Sequence, residues 1–302
     1  MAMRILFAGE VMGELRRNDT GYALGFAGDT FNAAVYCKRL LGKDGHVSYL
    51  TRVGTDPMSQ GALDLAEAEG LDTSSIQRDT RYNLGLYAVA TDAEGERSFS
   101  YWRDQSAARQ LFSDPAELDA LEQTDLLCLS GITLAILSPQ QREELFQRIA
   151  ELRDAGTLRL VFDDNYRPAL WESPKVAQQV MTQAWCLTDV ALPSVDDEMA
   201  LFGDADEAAV LARLRGLGVT DGALKRAASG PVPINPDVQI SAPYPAAERV
   251  VDTTAAGDSF NGGFLAALMQ GAPTDACLMQ GHMMAREVVG HPGAIIPNRK
   301  DN

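Results

Sequence analysis

Cysteine is scarce in this chain of 302 residues: Cys37, Cys128, Cys186 and Cys277 are the four present, far apart and without a C-x-x-C pair. That pattern excludes a disulfide framework or a thiolate zinc site and predicts small buried hydrophobes. Basic residues are also few, 26 Lys and Arg against 42 Asp and Glu, giving a formal net charge of −16 with no basic run. A nucleic-acid partner is therefore excluded, whereas an anionic small molecule would need arginines or backbone N–H groups placed locally against the overall field. No charge-free apolar run reaches the length of a membrane helix. The opening MAMRILFAGE passes straight into Glu10, unlike a secretory signal, so a cytoplasmic protein with no membrane partner is expected. No G-x-G-x-x-G follows the first strand, which removes the support for a dinucleotide-binding dehydrogenase.

What is present is an alternation of strands and helices. Residues 4–9 (RILFAG) read as a buried strand, 32–41 as a helix begun by Asp29 or Thr30, 46–54 as a second strand, and 57–69 as a second helix. This rhythm predicts an α/β fold with a mainly parallel central sheet, whose carboxyl edge collects ligands. Residues 13–26 read as too irregular for a core element. Two β-like runs over 84–103 break the rhythm, joined across Asp92 to Gly95 as a hairpin that carries Tyr87, Tyr101, Trp102 and Arg103. PQQREELFQRIAELRDAG is an amphipathic helix started by Ser138 and Pro139 and stopped by Gly156. A strand at 160–162 then delivers Asp163, Asn165, Tyr166 and Arg167 to the ligand edge, where an Asp163–Arg167 salt bridge is the plain reading. The lone His46 reads as structural, and the prolines of 231–245 push that piece toward loop or edge structure.

The chain is organised around Val251 to Leu268, VDTTAAGDSFNGGFLAAL. Small residues at Ala255, Ala256 and Gly257 let backbone N–H groups approach a ligand, and the helix opening near Asp258 aims further donors and its dipole at an anion. Asp258 or Ser259 acting only as a helix cap is the ordinary account. A carboxylate beside a phosphate site nonetheless repels it unless it takes a proton or meets a metal ion, so Asp258 reads as a base.

This stretch resembles the anion-hole and catalytic-base motif of the ribokinase-like, pfkB-type carbohydrate kinases. FAGDTFNAAV, LSGITLAILSP, FDDNYRPALW and TTAAGDSF together extend the likeness over essentially the full chain and resemble the 2-keto-3-deoxygluconate kinases among them. The resemblance implies a ribokinase-like three-layer α/β/α sandwich over residues 1–302, with a small β lid from about 12–26 and 84–104. It implies that Asp258 deprotonates the attacking hydroxyl while the backbone of Ala255, Ala256, Gly257 and Asp258 stabilises the transferring phosphoryl group. Gly28, Asp29, Asn32, Tyr87, Tyr101, Arg103, Asn165 and Arg167 would meet the substrate. Arg103 and Arg167 suit a sugar-acid carboxylate, because arginine binds carboxylate in a fixed fork.

ATP and Mg²⁺ are the implied cofactors, with a monovalent cation such as K⁺ left open. Asn165, Lys225, Ala227, Gly230, Ala255 and Gly257 match nucleotide-side positions; the motifs have glycine where Ala227 and Ala255 stand. Ser194, Asp197 and Glu198 fall where the family orders water around magnesium, so Asp197 is the metal candidate, acting through water; an exposed acidic first helical turn is the rival. The segment holding His291 would wall the adenine pocket. A homo-oligomer, a dimer through the lid, is expected. Another sugar kinase of the family (fructokinase, ribokinase or ketodeoxygalactonate kinase) and a non-catalytic sensor on the same scaffold are the alternatives.

Overall fold

The computed structural model describes residues 3–18, 21–91 and 97–298. In chain order the strands are β1 (Arg4–Ala8), β2 (Met12–Asn18), β3 (Gly21–Ala27), β4 (His46–Val53), β5 (Ile76–Arg78), β6 (Gly85–Thr91), β7 (Arg97–Trp102), β8 (Leu126–Ser130), β9 (Arg159–Asp163), β10 (Val190–Ala191), β11 (Ala223–Leu224) and β12 (Val232–Pro233). The helices are α1 (Asp29–Leu41), α2 (Pro57–Ala68), α3 (Pro115–Asp119), α4 (Gly131–Ile136), α5 (Pro139–Asp154), α6 (Pro174–Leu187), α7 (Val195–Phe202), α8 (Glu207–Gly216), α9 (Ala256–Met269) and α10 (Thr274–Val288). Among the described residues no helix is long and apolar enough to cross a membrane.

Six strands form one sheet in the order β10-β9-β8-β1-β4-β5, and every pair in it is parallel. Alternate residues of the buried strands enter opposite cores, as a sheet covered on both faces requires. Leu6 and Ala8 of β1, Leu127 and Leu129 of β8, and Leu160 and Phe162 of β9 pack with α5, α6 and α8. Ile5, Phe7, Cys128 and Val161 face the other way, toward α1, α2, α9 and α10. Phe162 meets Trp185 edge-on at 4.7 Å between ring centroids, which locks α6 onto the sheet.

Local signals set the helix ends. Ser138 and Gln141 form a reciprocal capping box at α5 with Pro139 in its first turn. The start of α1 differs from expectation, since its N-cap is Gly28 and Asp29 already lies inside the first turn. A methyl group at Gly28 would drive into the Glu10 carbonyl, so only glycine permits that crossing of chains.

The stretch 13–26 reads as too irregular for a core element, yet Met12–Asn18 and Gly21–Ala27 form β2 and β3, within the stretch where the resemblance implied a β lid. They join β6 and β7 in a second, four-stranded sheet, order β3-β2-β6-β7. β2 puts Glu14 on the inner face and Leu15 opposite Leu24 on the outer one, a polar-in pattern that hides a strand from hydrophobic alternation. The hairpin turn expected across Asp92 to Gly95 lies outside the described residues. Beyond β12 the proline-rich piece carries no helix or strand as far as α9. Cys37, Cys128 and Cys277 are buried as expected, but Cys186 is exposed, near the end of α6.

Candidate active site

The carboxyl ends of β1, β8 and β9 and the first turns of α1 and α9 meet at one edge of the main sheet. α1 and α9 come close because Gly262 faces α1: a methyl group there would sit 2.7 Å from the Ala33 carbonyl oxygen and from Tyr36 Cβ. That approach places Asn32 Nδ2 at 2.8 Å from Asp258 Oδ2. Across the same edge Asn165 Nδ2 donates to Asp29 Oδ2 at 2.8 Å. Two acids and two amides, drawn from α1, the loop after β9, and α9, are thereby linked in pairs.

Neither Asp258 nor Ser259 caps α9. The N-cap is Ala255, in a left-handed conformation at φ 59°, and Asp258 lies in the first turn. The opening N–H groups of a helix lack partners within it, so this start presents donors beside the Asp258 carboxyl. Burial, followed by the negative charge of Asp29, pushes Asp258 up to about 8, against the bond from Asn32. Burial also raises Asp29, against bonds that include Ser130, Thr30 and Asn165.

Asp163 does not pair with Arg167. Lys225 Nζ lies 2.7 Å from Asp163 Oδ2 and 3.3 Å from Asn261 Oδ1, and Asn261 returns a bond to the same carboxylate. Burial would raise Asp163, but the ammonium beside it wins and holds it below the usual range. Lys225 Nζ lies 3.7 Å from where a methyl group on Gly257 would sit, so this charge is immediately behind the start of α9. Arg167 bonds to Asp197 Oδ2 at 3.3 Å and to the Tyr166 carbonyl at 2.8 Å, with half its side chain exposed.

The acidic run after β10 is largely occupied. Burial raises Asp197, which also accepts from the Tyr166 amide at 3.2 Å. Glu198 is buried and accepts from Trp185 Nε1 at 3.1 Å and Arg213 Nη2 at 2.5 Å, so it supports the fold. The Ser194 amide donates to Asp164 at 2.9 Å. Among the described residues no group of three or more His, Cys, Asp or Glu is placed to share a metal ion. The donor set does not fit a metal caged by protein ligands.

On the second sheet the Tyr87 hydroxyl donates to Glu14 Oε1 at 2.7 Å, and its ring lies 5.8 Å from that of Tyr101. Met12, Ala27, Tyr87 and Val89 on the inner face pack with Ala294 and Ala255, so this sheet touches the residue that caps α9. Arg103 is buried and paired with Glu10.

The profile of the pfkB family carbohydrate kinase matches residues 3–301. The chain belongs to the pfkB family of carbohydrate kinases. This pfkB kinase is 41% identical over 304 residues to the 2-dehydro-3-deoxygluconokinase of Escherichia coli K12, covering 98% of each chain. It is 39% identical over 305 residues to the enzyme of that name from Haemophilus influenzae, covering 97% of this chain and 95% of the other. Its fold matches aminoimidazole riboside kinase from Salmonella enterica in complex with aminoimidazole riboside and an ATP analogue, with a TM-score of 0.82 at 21% identity, over 96% of this chain and 94% of the other.

Four residues of the kinase's site edge went without an assigned role in the sequence. Asp164 is fully buried and organises the Asn165 and Ser194 amides. Asn261 sits three residues after Asp258 on the same helical face, a spacing that could have exposed it. Glu10, whose place at the carboxyl end of the first strand was legible, and Glu14, in β2, had no legible partners until Arg103 and Tyr87 arrived from the other hairpin. Lys225 to Gly230 form a turn as expected, with Ala227 at φ 44° and Gly230 at φ 76°. His291 is exposed and bonds the Glu287 carbonyl within its own segment.

Proposed function

We propose that this kinase transfers the γ-phosphoryl group of ATP to the C6 hydroxyl of 2-keto-3-deoxygluconate, giving 2-keto-3-deoxy-6-phosphogluconate. The observation that carries the chemistry is the position of Asp258, a half-buried carboxyl in the first turn of α9 and bonded to Asn32. Asp258 orients the hydroxyl and takes its proton as the oxygen attacks, while the backbone of Ala255, Ala256, Gly257 and Asp258 receives the charge of the phosphoryl group. Asp29, Asn32 and Asn165 bind sugar hydroxyls, since a carboxylate accepts and an amide both donates and accepts. Gly28 keeps the backbone close enough for that contact.

Arg103 and Arg167 bind the substrate carboxylate, and the choice of a sugar acid follows from the near-full-length likeness to the E. coli and H. influenzae enzymes. Tyr87 and Tyr101 line the same side. Lys225, Ala227, Gly230 and Asn165 border the nucleotide. Mg²⁺ accompanies ATP as counter-ion to its phosphates, with Asp197 reaching it through water, and no step here depends on a protein-bound metal. A monovalent cation such as K⁺ remains the further ion of this reading.

The four-stranded sheet is the lid over the sugar and keeps water from the reacting phosphoryl group. Its outer face shows Tyr22 at 65%, Leu24 at 49% and Trp102 at 59% exposure, apolar surface suited to a homodimer through the lid. We place the enzyme in the cytoplasm with its substrates. An ADP-release assay over 2-keto-3-deoxygluconate, its galactonate epimer, fructose and ribose tests the reading. The sugar acid should have the highest kcat/KM. A preference for fructose or ribose would return the neutral-sugar alternative, and binding without turnover would return the sensor.

A further inference from the structure

Glu10 stands where the chain passes between body and lid. It follows β1 and precedes β2. Gly28, where β3 returns to the body, packs on the Glu10 carbonyl, and a methyl group at Gly85, where β6 begins, would sit 2.7 Å from Glu10 Oε1 and 3.2 Å from Ser106 Cβ. Arg103, just beyond β7, bonds Glu10 Oε2 through Nη2. All four crossings between the two sheets therefore touch one carboxylate or its backbone.

The pair is also left incomplete. Glu10 is 1% exposed, Ser106 3% and Arg103 5%. Yet Glu10 Oε1, Arg103 Nε and Ser106 Oγ make no hydrogen bond among the described residues. Arginines that serve the fold here use both teeth of the fork: Arg52 holds Glu117 at 2.7 and 3.0 Å, and Arg153 holds Asp189 at 2.9 and 2.8 Å. Buried donors and acceptors left unmade are costly, so the spare capacity at Glu10 and Arg103 is the signature of a group that arrives later.

We propose that Glu10 is the positioning residue of the sugar-acid site: it holds Arg103 by one tooth at the lid crossing, leaving the guanidinium Nε free for the substrate carboxylate. Ser106 Oγ and Glu10 Oε1 complete the slot for a substrate hydroxyl or a bridging water. The negative charge of Glu10 also keeps the guanidinium tolerable inside the protein before substrate binds. This rests on the reading of Arg103 as a carboxylate ligand.

A double-mutant cycle on the full-length enzyme separates the two ideas. Glu10→Gln preserves shape and should raise KM for 2-keto-3-deoxygluconate about tenfold, the scale of one hydrogen bond to a charged group. KM for ATP and kcat should change little, whereas a merely loosened hinge would move all three. In an Arg103→Met background the same change at Glu10 should add almost nothing to KM. Equal factors in both backgrounds overturn the role of Glu10. An Arg103→Met enzyme with parental KM sinks the carboxylate reading, and this proposal with it. Ser106→Ala, which disturbs no charge, gives a second arm if Glu10→Gln does not fold: KM for the sugar acid should rise about threefold with KM for ATP unchanged, and parental KM for the sugar acid counts against the slot.

Discussion

The side-chain amide of Asn32 donates to the Asp258 carboxyl across 2.8 Å, tying the first turn of α1 to the first turn of α9. The close packing at Gly262 makes that bond reachable, so the first turns of α1 and α9 are held as one pair. Replacing Asp258 by Asn keeps the shape and still offers Asn32 an acceptor. The kcat should fall about 10²- to 10⁴-fold, the usual worth of general-base catalysis, with KM for the sugar acid little changed. Steady-state kinetics checks this, and a parental kcat would remove Asp258 from the base role.

Burial and the charge of Asp29 raise Asp258 to about 8, and a base must be deprotonated to act. The kcat/KM should therefore climb with pH through about 8. The stability effect has the opposite sense. Between the ordinary value of 3.8 and about 8 the folded protein holds a proton on Asp258 that the unfolded chain releases, so its contribution to stability declines as pH rises through that window. Asp258→Asn should exceed the parent in melting temperature most clearly above pH 8, with the gap closing toward pH 4; a pH-independent gap would contradict the assignment.

Much of this arrangement was legible in the chain. Parallel strands buried on both faces, the Ser138 and Pro139 helix start, and the delivery of Asn165 to a strand end follow from local pattern. Partners remote in sequence were not legible. Lys225 and Asp163 are 62 residues apart, and Arg103 and Glu10 are 93 apart, so composition offers Arg167 as a neighbour for Asp163 equally well. Strands β2 and β3 were not legible from local alternation, though the resemblance implied β structure there, since β2 turns Glu14 and Arg16 toward the inside, where Tyr87 and the ion pair between them satisfy Glu14.

Ala255 at φ 59° and Ala227 at φ 44° occupy left-handed backbone, which disfavours any residue with a Cβ. Ala255→Gly and Ala227→Gly should each stabilise the protein by about 1 kcal/mol in urea unfolding, relief of strain exceeding the added freedom of the unfolded chain. The control Ala212→Gly, exposed within α8, should destabilise by about 1 kcal/mol. Destabilisation at all three positions would contradict the strain account.

Lys225 neutralises a buried carboxylate. Lys225→Met should cost about 3–5 kcal/mol, as breaking a buried pair does, and adding Asp163→Asn should recover part of the loss. Denaturant titration of the single and double variants reads this directly, and additive losses would show that the pair contributes no coupling.

The most direct test of the central claim is the product formed from ATP and 2-keto-3-deoxygluconate, examined by phosphorus–proton correlation NMR. The account predicts one phosphate ester, on the C6 oxygen, formed by the parent enzyme and nearly lost in Asp258→Asn. An ester on another oxygen, or ATP left unconsumed while a neutral sugar is phosphorylated, would contradict it.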